Sequence, residues 1–200
     1  MPAGDNSLMA VDVALVPPEW VQERARRINQ ELGEGGLQLD TTHVPHITLA
    51  QCFVWRASLP MLIERLNLEW RSAAAVPVSS IALVEQESTV SFLLDRTPEL
   101  LELHVRLMDA LKGWEEEGGD ASAFYPEGEP ARDKDVSWVA NFRTAASYRE
   151  FIPHITLGFG RSLARSEPFD FLANRVGLFH LGRFCSCRAL LHDWRLWIRP

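Results

Sequence analysis

The apolar residues of this chain follow two spacings, one typical of strands and one typical of helices. A nearly continuous apolar run predicts a buried strand over Met9–Val16, and apolar residues at helical spacing predict a helix over 19–32. Further strands are predicted near 43–55, 80–84, 90–95, 135–142, 153–157, 175–182 and 183–190, with helices after Pro60 and over 98–114. Strands and helices interleaved in this way indicate an α+β fold.

One pentapeptide, Pro-His-Ile-Thr-Leu, occurs twice, at residues 45–49 and 153–157. Alternate side chains of a strand share a face, so His46 and Thr48 are expected on one face, as are His154 and Thr156. Histidine has an ordinary pKa of about 6.5 and can act as proton donor or acceptor near neutral pH. The repeat therefore predicts a cleft between two strands, with the two histidines as an acid and base pair.

These residues resemble the 2H phosphoesterase superfamily, which is named for two His-x-Thr/Ser-x-hydrophobic motifs. Here the motifs are His46-Ile-Thr-Leu and His154-Ile-Thr-Leu, 108 residues apart. The similarity covers roughly residues 9–196 and includes the early strand, the helix after Pro17-Pro18 and the closing strand pair. It looks closest to bacterial enzymes labelled 2'-5' RNA ligases or RNA 2',3'-cyclic phosphodiesterases.

The resemblance implies a bilobal, duplicated fold in which two mixed or antiparallel sheets, flanked by helices, surround a central cleft. It also implies hydrolysis of a 2',3'-cyclic phosphate or a related cyclic nucleotide phosphodiester, with no metal or other cofactor. His46 and His154 would be the acid and base in either order. Thr48 and Thr156 would donate hydrogen bonds to the non-bridging phosphate oxygens.

Substrate contacts are predicted from residues close to the ends of the motif strands and in the acidic segment. Arg56 and Arg161 are candidates for phosphate binding, because arginine forms paired hydrogen bonds to phosphate oxygens. Aromatic side chains can stack on nucleotide bases. The aromatic candidates are Phe53, Trp55, Phe159 and Tyr125.

Two other functions remain open at this point. One is 2'-5' RNA ligase activity, the reverse reaction, in which a 5'-hydroxyl attacks the cyclic phosphate. The other is a nucleotide- or RNA-binding module that has the same fold and no turnover. A metal site is not predicted, because His43, His46, Cys52, Cys185 and Cys187 do not form the paired spacings of structural zinc sites.

The net charge of −7 argues against an extended basic surface for duplex nucleic acid. The charge is unevenly distributed, because residues 115–135 contain eight acidic and two basic side chains and so carry −6 of it. A cyclic nucleotide or a short RNA terminus is therefore the expected substrate. The acidic residues 115–135 are also rich in Gly and Pro, which predicts an exposed loop beside the cleft.

The length of 200 residues suits one domain of two pseudo-symmetric lobes over 1–200, with a flexible N-terminus at residues 1–8. A cytoplasmic monomer is expected, because the chain has neither a signal-peptide pattern nor an apolar run of membrane-spanning length. The three cysteines are expected to be reduced thiols.

Overall fold

The structure, a computed structural model, describes residues 5–32, 36–161 and 166–198. Within these ranges the chain forms eight strands and four helices. The strands are β1 (Leu8–Val16), β2 (Ile47–Trp55), β3 (Val76–Gln86), β4 (Thr89–Leu94), β5 (His154–Phe159), β6 (Phe169–Ala173), β7 (Arg175–Gly182) and β8 (Ser186–Arg195). The helices are α1 (Glu19–Leu32), α2 (Leu59–Trp70), α3 (Pro98–Ala110) and α4 (Asp133–Ala145).

The strands form two antiparallel sheets of four strands each. The strand order is β2-β1-β7-β8 in the first sheet and β5-β4-β3-β6 in the second. The two motif strands, β2 and β5, each lie at an edge of their sheet, and they approach each other where the sheets meet. This arrangement, with helices flanking the sheets, confirms the predicted α+β fold of two related halves.

The two halves also repeat the same strand register. Two facing pairs of the first sheet, Asp12–Gln51 and Ala14–Thr48, correspond to two of the second, Thr89–Phe159 and Ser91–Thr156. A shift of 77 residues on the inner strand and 108 on the motif strand converts one set into the other. Each motif strand also has a bulge at the leucine that follows the motif threonine, Leu49 or Leu157.

The main hydrophobic core fills the space between the sheets and the helices. In α1, Val21, Ala25 and Ile28 are buried at helical spacing. Helix α1 follows β1 in the first half, yet it packs on β5 of the second sheet, while α3 packs on β2 of the first sheet. Each motif strand is therefore supported by a helix from the other half of the chain.

The acidic residues 115–135 pack against the first sheet through their apolar members. Phe124 is buried, and its ring contacts that of Phe53 at 6.0 Å between centroids. Backbone hydrogen bonds run from Glu116 N to Phe53 O at 2.9 Å and from Tyr125 N to Leu181 O at 2.7 Å. Close approach requires Gly119, because a Cβ there would lie 2.4 Å from the Phe53 ring.

Two sequence predictions fail for the strands. Residues 135–142, predicted as a strand, belong to α4, because Val139 and Phe142 recur at helical spacing and are buried on one helix face. Strand β6 is missing from the prediction, although Phe171 and Ala173 alternate with exposed neighbours and the strand pairs with β3. Its five residues are too few for a clear alternating pattern.

Several predicted boundaries also shift. The first motif strand begins at Ile47 rather than 43, α3 ends at Ala110 rather than 114, and the last strand begins at Ser186 rather than 183. The predicted flexible N-terminus, 1–8, falls partly outside the described residues. In its described part, Leu8 belongs to β1, and the Arg56 side chain contacts Asp5 and Ser7.

None of the helices in the described ranges combines the length and apolar character that crossing a membrane requires. Cys52, Cys185 and Cys187 are free thiols, as predicted.

Candidate active site

The two motif histidines are anchored in the same way. Nδ1 of His46 donates to the carbonyl oxygen of Val44 at 2.7 Å, and Nδ1 of His154 donates to that of Ile152 at 2.8 Å. A carbonyl can only accept, so Nδ1 carries a proton in both rings. Nε2 is then the nitrogen of each ring that can exchange a proton with another molecule.

The two rings are close enough to influence each other electrostatically. Partial removal of the His154 ring from water lowers its pKa, and a positive charge on His46 lowers it further. The hydrogen bond to Ile152 opposes this change. One edge of His154 is nevertheless exposed, whereas the side chain of His46 is only 15% exposed. The structure thus brings the two motif strands into contact and gives the two rings different surroundings.

The bulge after each motif threonine leaves a strand carbonyl without its ladder partner, and a buried side chain replaces that partner. His104 of α3 donates from Nδ1 to Leu49 O at 2.7 Å. Asn29 of α1 donates to Leu157 O at 2.8 Å. Both side chains come from the opposite half of the chain, so the two motif strands are fixed relative to each other.

Asp12 forms the floor of the first motif. Its side chain is fully buried, and Oδ2 accepts hydrogen bonds from Thr48 Oγ1 at 2.8 Å and Gln51 Nε2 at 2.7 Å. The distance from Oδ2 to His46 Nε2 is 3.6 Å, which is too long for a hydrogen bond but short for a charge pair. Burial raises the pKa of Asp12, while a positive charge on His46 and the two hydrogen bonds oppose this rise.

The second motif has no such floor. The residues at the positions equivalent to Asp12 and Gln51 are Thr89 and Phe159. The hydroxyl of Thr156 has no hydrogen-bond partner among the described residues, whereas that of Thr48 donates to Asp12. The two copies therefore share their backbone geometry and differ in their polar side chains.

Asp12, His46 and Cys187 each place one possible metal ligand within 4.8 Å of the others. Spacing along the chain misses this cluster, because Asp12 comes from β1. Two features indicate a buried polar cluster beneath the first motif rather than a metal site. Oδ2 of Asp12 already accepts two hydrogen bonds, and burial, with the charge of Asp12, raises the pKa of the Cys187 thiol, which keeps it protonated.

The structure places Arg56 and Trp55 at the end of β2 that is remote from His46. Ten residues of extended strand span about 30 Å, so neither side chain can reach a phosphate held at the histidines. The Arg56 guanidinium is paired with Asp5 at 3.2 Å. The length of the strand separates these two residues from the motif histidines, and their contact with a longer substrate stays a prediction.

Phe53 is also excluded as a base-stacking residue, because it is 1% exposed and packs under the acidic segment. Phe159 is half-buried, with its ring 5.2 Å from that of Phe184, which leaves one part of the ring accessible. Arg161 is exposed and follows β5 by two residues. Phe159 and Arg161 remain predictions.

Tyr125 lies beside the segment that leads into the first motif. Its ring is 36% exposed, with the Arg188 guanidinium 5.5 Å from the ring centroid. Arg188 also binds Glu127 and donates to Thr42 O at 3.1 Å. Glu127 is 3.5 Å from the His43 ring, so the acidic segment is tied to the chain just before His46.

Two of the open depressions on the surface of the described residues are large enough to compare with the motif positions. The larger, about 510 Å³, is lined by residues of 72–77 and of α3 and contains no motif residue. The smaller, about 290 Å³, includes Val44, whose carbonyl anchors His46, together with Arg26, Arg175 and Arg188. The smaller depression is therefore adjacent to the first motif.

The sequence analysis misses Asp12, Gln51 and Asn29, and it considers Cys187 only among residues whose spacing does not suit zinc. For Asp12 a signal exists, since an acidic residue in the middle of an otherwise apolar strand is costly to bury without a partner. The other three carry no comparable signal, because their importance depends on which strand or helix lies next to them.

Known proteins share this architecture. A family model described as the 2'-5' RNA ligase superfamily matches residues 16–182, which include both motifs. TT0787 of Thermus thermophilus is similar over 94% of this chain and 98% of its own, with 14% identity and a TM-score of 0.58. E. coli LigT complexed with NADP+ is similar over 95% of this chain and 99% of its own, with 16% identity and a TM-score of 0.58. E. coli LigT complexed with 3'-AMP is similar over 94% and 97%, with 17% identity and a TM-score of 0.53.

A search of curated proteins finds no match. The structural similarities have low sequence identity and establish the fold, whereas the family model covers most of the chain and both histidine motifs. The chain therefore belongs to the 2'-5' RNA ligase superfamily of 2H phosphoesterases, a family of phosphoesterase and ligase-like enzymes.

Proposed function

We propose that this protein is a metal-independent phosphodiesterase that opens a 2',3'-cyclic phosphate, or a related cyclic nucleotide phosphodiester, with His46 and His154 as its acid and base pair. The observation that carries the proposal is the matched anchoring of the two rings, each through Nδ1 to the carbonyl two residues earlier. Both rings thereby offer Nε2 from equivalent strands, as a reaction with one proton acceptor and one proton donor requires.

In the proposed reaction, one histidine is neutral and takes a proton from water through Nε2 while the water oxygen bonds to phosphorus. The bond between phosphorus and one ribose oxygen breaks. The other histidine, protonated on Nε2, gives its proton to that oxygen. The product is a phosphomonoester beside a free hydroxyl, and exchange with solvent restores both rings.

Thr156 is the better candidate for binding a non-bridging phosphate oxygen. Its hydroxyl hydrogen is free among the described residues, so it can donate to a developing negative charge. The hydrogen of Thr48 is donated to Asp12, and Thr48 would have to break that bond to donate to phosphate. We therefore propose that the two threonines do not contribute equally.

A nucleotide or a short RNA terminus is the proposed substrate class. LigT, which has this fold, has structures complexed with NADP+, with 3'-AMP and with phosphate. The net charge of −7 and its concentration at 115–135 favour a small phosphorylated ligand over a long polyanion.

End joining is the second candidate, because the matching family model is described by 2'-5' RNA ligases. It would use the same two histidines, with an RNA 5'-hydroxyl in place of water. Water is present at high concentration, so joining would also need a site that holds the second RNA end.

The direct test incubates the purified protein, in EDTA, with the four nucleoside 2',3'-cyclic phosphates and a short RNA that ends in a cyclic phosphate, with and without a 5'-hydroxyl acceptor strand. Opening in EDTA that is lost in His154→Ala supports the proposal. A joined product as the main species would favour the ligase. Binding of these compounds without any product would favour a non-catalytic module and contradict the proposal.

A further inference from the structure

We infer that Asp12 is a positioning residue that assigns the two catalytic roles: its carboxylate balances the charge of a protonated His46, which makes His46 the general acid and leaves His154 as the general base. This inference rests on the proposed function, because it explains how two similar motifs perform opposite proton transfers.

The argument begins with the location of Asp12. It lies in the middle of β1, is fully buried, and faces the motif strand at Gln51. Its Oδ2 is 3.6 Å from His46 Nε2, while Oδ1 has no hydrogen-bond partner among the described residues. A buried carboxylate with one unpaired oxygen is costly, and a nearby cation reduces that cost.

The side-chain environment of His46 offers no competing acid at that distance within the described ranges. The group from β8 is Cys187, whose thiol is kept protonated, since burial and the charge of Asp12 raise its pKa. The group from β5 is His154, an imidazole, which supplies no negative charge. His43 precedes β2, and its nearby acids, Asp40 and Glu127, pair with it rather than with His46.

The second motif provides an internal comparison. At the position equivalent to Asp12 it has Thr89, which carries no charge, and at the position equivalent to Gln51 it has Phe159. Partial desolvation lowers the pKa of His154, and a positive charge on His46 lowers it further, so both effects favour a neutral ring in the second motif. Desolvation and the charge on His46 both favour the neutral form of His154, which a general base must have.

A purely structural role is the competing explanation. Asp12 could serve only to hold Thr48 and Gln51, which donate to its Oδ2. Asp12→Asn separates the two explanations, because asparagine keeps an oxygen that can accept those hydrogen bonds but carries no charge. Thr89→Ala is the matched control at the equivalent position of the second motif.

The test measures kcat/KM for cyclic phosphate opening between about pH 5 and 9. In Asp12→Asn we expect the alkaline limb, where the general acid loses its proton, to move down by about 1–2 pH units while the acidic limb stays in place. Thr89→Ala should leave both limbs unchanged. A uniform loss of rate with both limbs fixed would show a structural role, and movement of the acidic limb alone would reverse the assignment.

A second measurement does not depend on turnover. Titration of the histidine ring protons by NMR in the wild-type protein, without substrate, should show His46 titrating at a higher pH than His154. Asp12→Asn should remove most of that difference. Equal titration of both rings in the wild type would overturn the inference even if Asp12→Asn did not fold. Failure of the proposed function would appear separately, as absence of ring opening by a wild-type protein whose two histidines still titrate apart.

Discussion

The two motif strands have the same backbone and different chemistry. β2 and β5 share register, a bulge at the leucine after the threonine, and a histidine anchored to the carbonyl two residues earlier. They differ in that His46 lies above a buried carboxylate, whereas the equivalent position beside β5 is Thr89. Two strands with the same backbone geometry can place two identical groups around one phosphate. An acid and a base need different surroundings, and only the neighbouring side chains can provide them.

Among changes to the two motif strands, removal of the His46 or the His154 ring should lower the catalytic rate most. We expect His46→Ala and His154→Ala each to lower kcat by about 10²- to 10⁴-fold, because each removes one proton transfer of the same reaction. Quenched-flow or steady-state assays of cyclic phosphate opening measure this loss. His192→Ala is the control, since His192 lies on β8 against Trp194, and its turnover should match that of the wild type. A single histidine variant with wild-type rate would contradict the pairing.

His104 and Asn29, which each bond a bulge carbonyl of the opposite half, should both stabilise the fold, with the larger effect at Asn29. His104→Leu leaves Leu49 O and the backbone N–H of Tyr148 unpaired, and Asn29→Leu leaves two carbonyls and the N–H of Leu39 unpaired. Each buried unpaired group costs about 1–3 kcal/mol, so in urea titrations His104→Leu should lose about 2–6 kcal/mol of unfolding free energy and Asn29→Leu about 3–9 kcal/mol. A loss below about 1 kcal/mol for either one would show that the bulge carbonyl finds another partner.

Acid should weaken the hydrogen bonds of His104 and not those of Asn29. Burial lowers the pKa of His104 to about 4, and the neutral ring is required because Nδ1 donates to Leu49 while Nε2 accepts from Tyr148 N. The unfolded chain, with an ordinary pKa of about 6.5, binds a proton that the folded protein does not, so stability falls as the pH decreases from about 6.5 to 4, by up to about 3 kcal/mol. Unfolding midpoints across this range should fall less steeply in His104→Leu than in the wild type. Parallel curves for the two proteins would assign the loss to other groups.

The motif threonines should differ in their effect on rate. Thr156→Val removes a hydroxyl whose hydrogen is free, among the described residues, to bind phosphate, and we expect kcat to fall about 10- to 100-fold. Thr48→Val removes a donor to Asp12 and should lower kcat less. Comparison of kcat at saturating substrate tests this order, and equal losses would mean that Thr48 turns from Asp12 to the phosphate.

The smallest effect is expected at Arg56, far along β2 from the histidine. Arg56→Ala should leave kcat and KM for a mononucleotide substrate unchanged, because the side chain binds the N-terminal segment instead. Arg161→Ala is the comparison beyond β5. A large rise in KM for Arg56→Ala would mean that the substrate extends along the strand.

The sequence predicts the features that the two motif strands share, because the spacing of apolar residues and the repeated motif can be recognised within short stretches of chain. Helix α1 is predicted with its observed boundaries, and the repeated pentapeptide identifies both histidines and both threonines. The polar partners come from elsewhere in the chain: Asp12 reaches the first motif from β1, and Asn29 and His104 reach the motifs from helices of the opposite half. Such contacts depend on which strands pair and which helices pack on them. A single sequence does not reveal these long-range arrangements.

The same limit explains why Phe53 and Trp55 do not lie beside the motif histidine. Phe53 and Trp55 are close to His46 along the sequence. In an extended strand, however, successive side chains point to opposite faces and each residue adds about 3.3 Å of length. Phe53 consequently enters the small core beneath the acidic segment, and Trp55 reaches the opposite end of the sheet. Tyr125, far away in sequence, lies against β7 and β8 of the first sheet because residues 115–135 fold back on that sheet.

The most direct test of the account is a double-mutant cycle on the rate of 2',3'-cyclic phosphate opening in EDTA, with His46→Ala, His154→Ala and the variant that carries both changes. If the two rings act as acid and base in one step, the double variant should be about as slow as the slower single variant, because either loss already disables that step. Losses that multiply in the double variant would mean that the two histidines act independently, and would contradict the central claim that the two motif copies form one site.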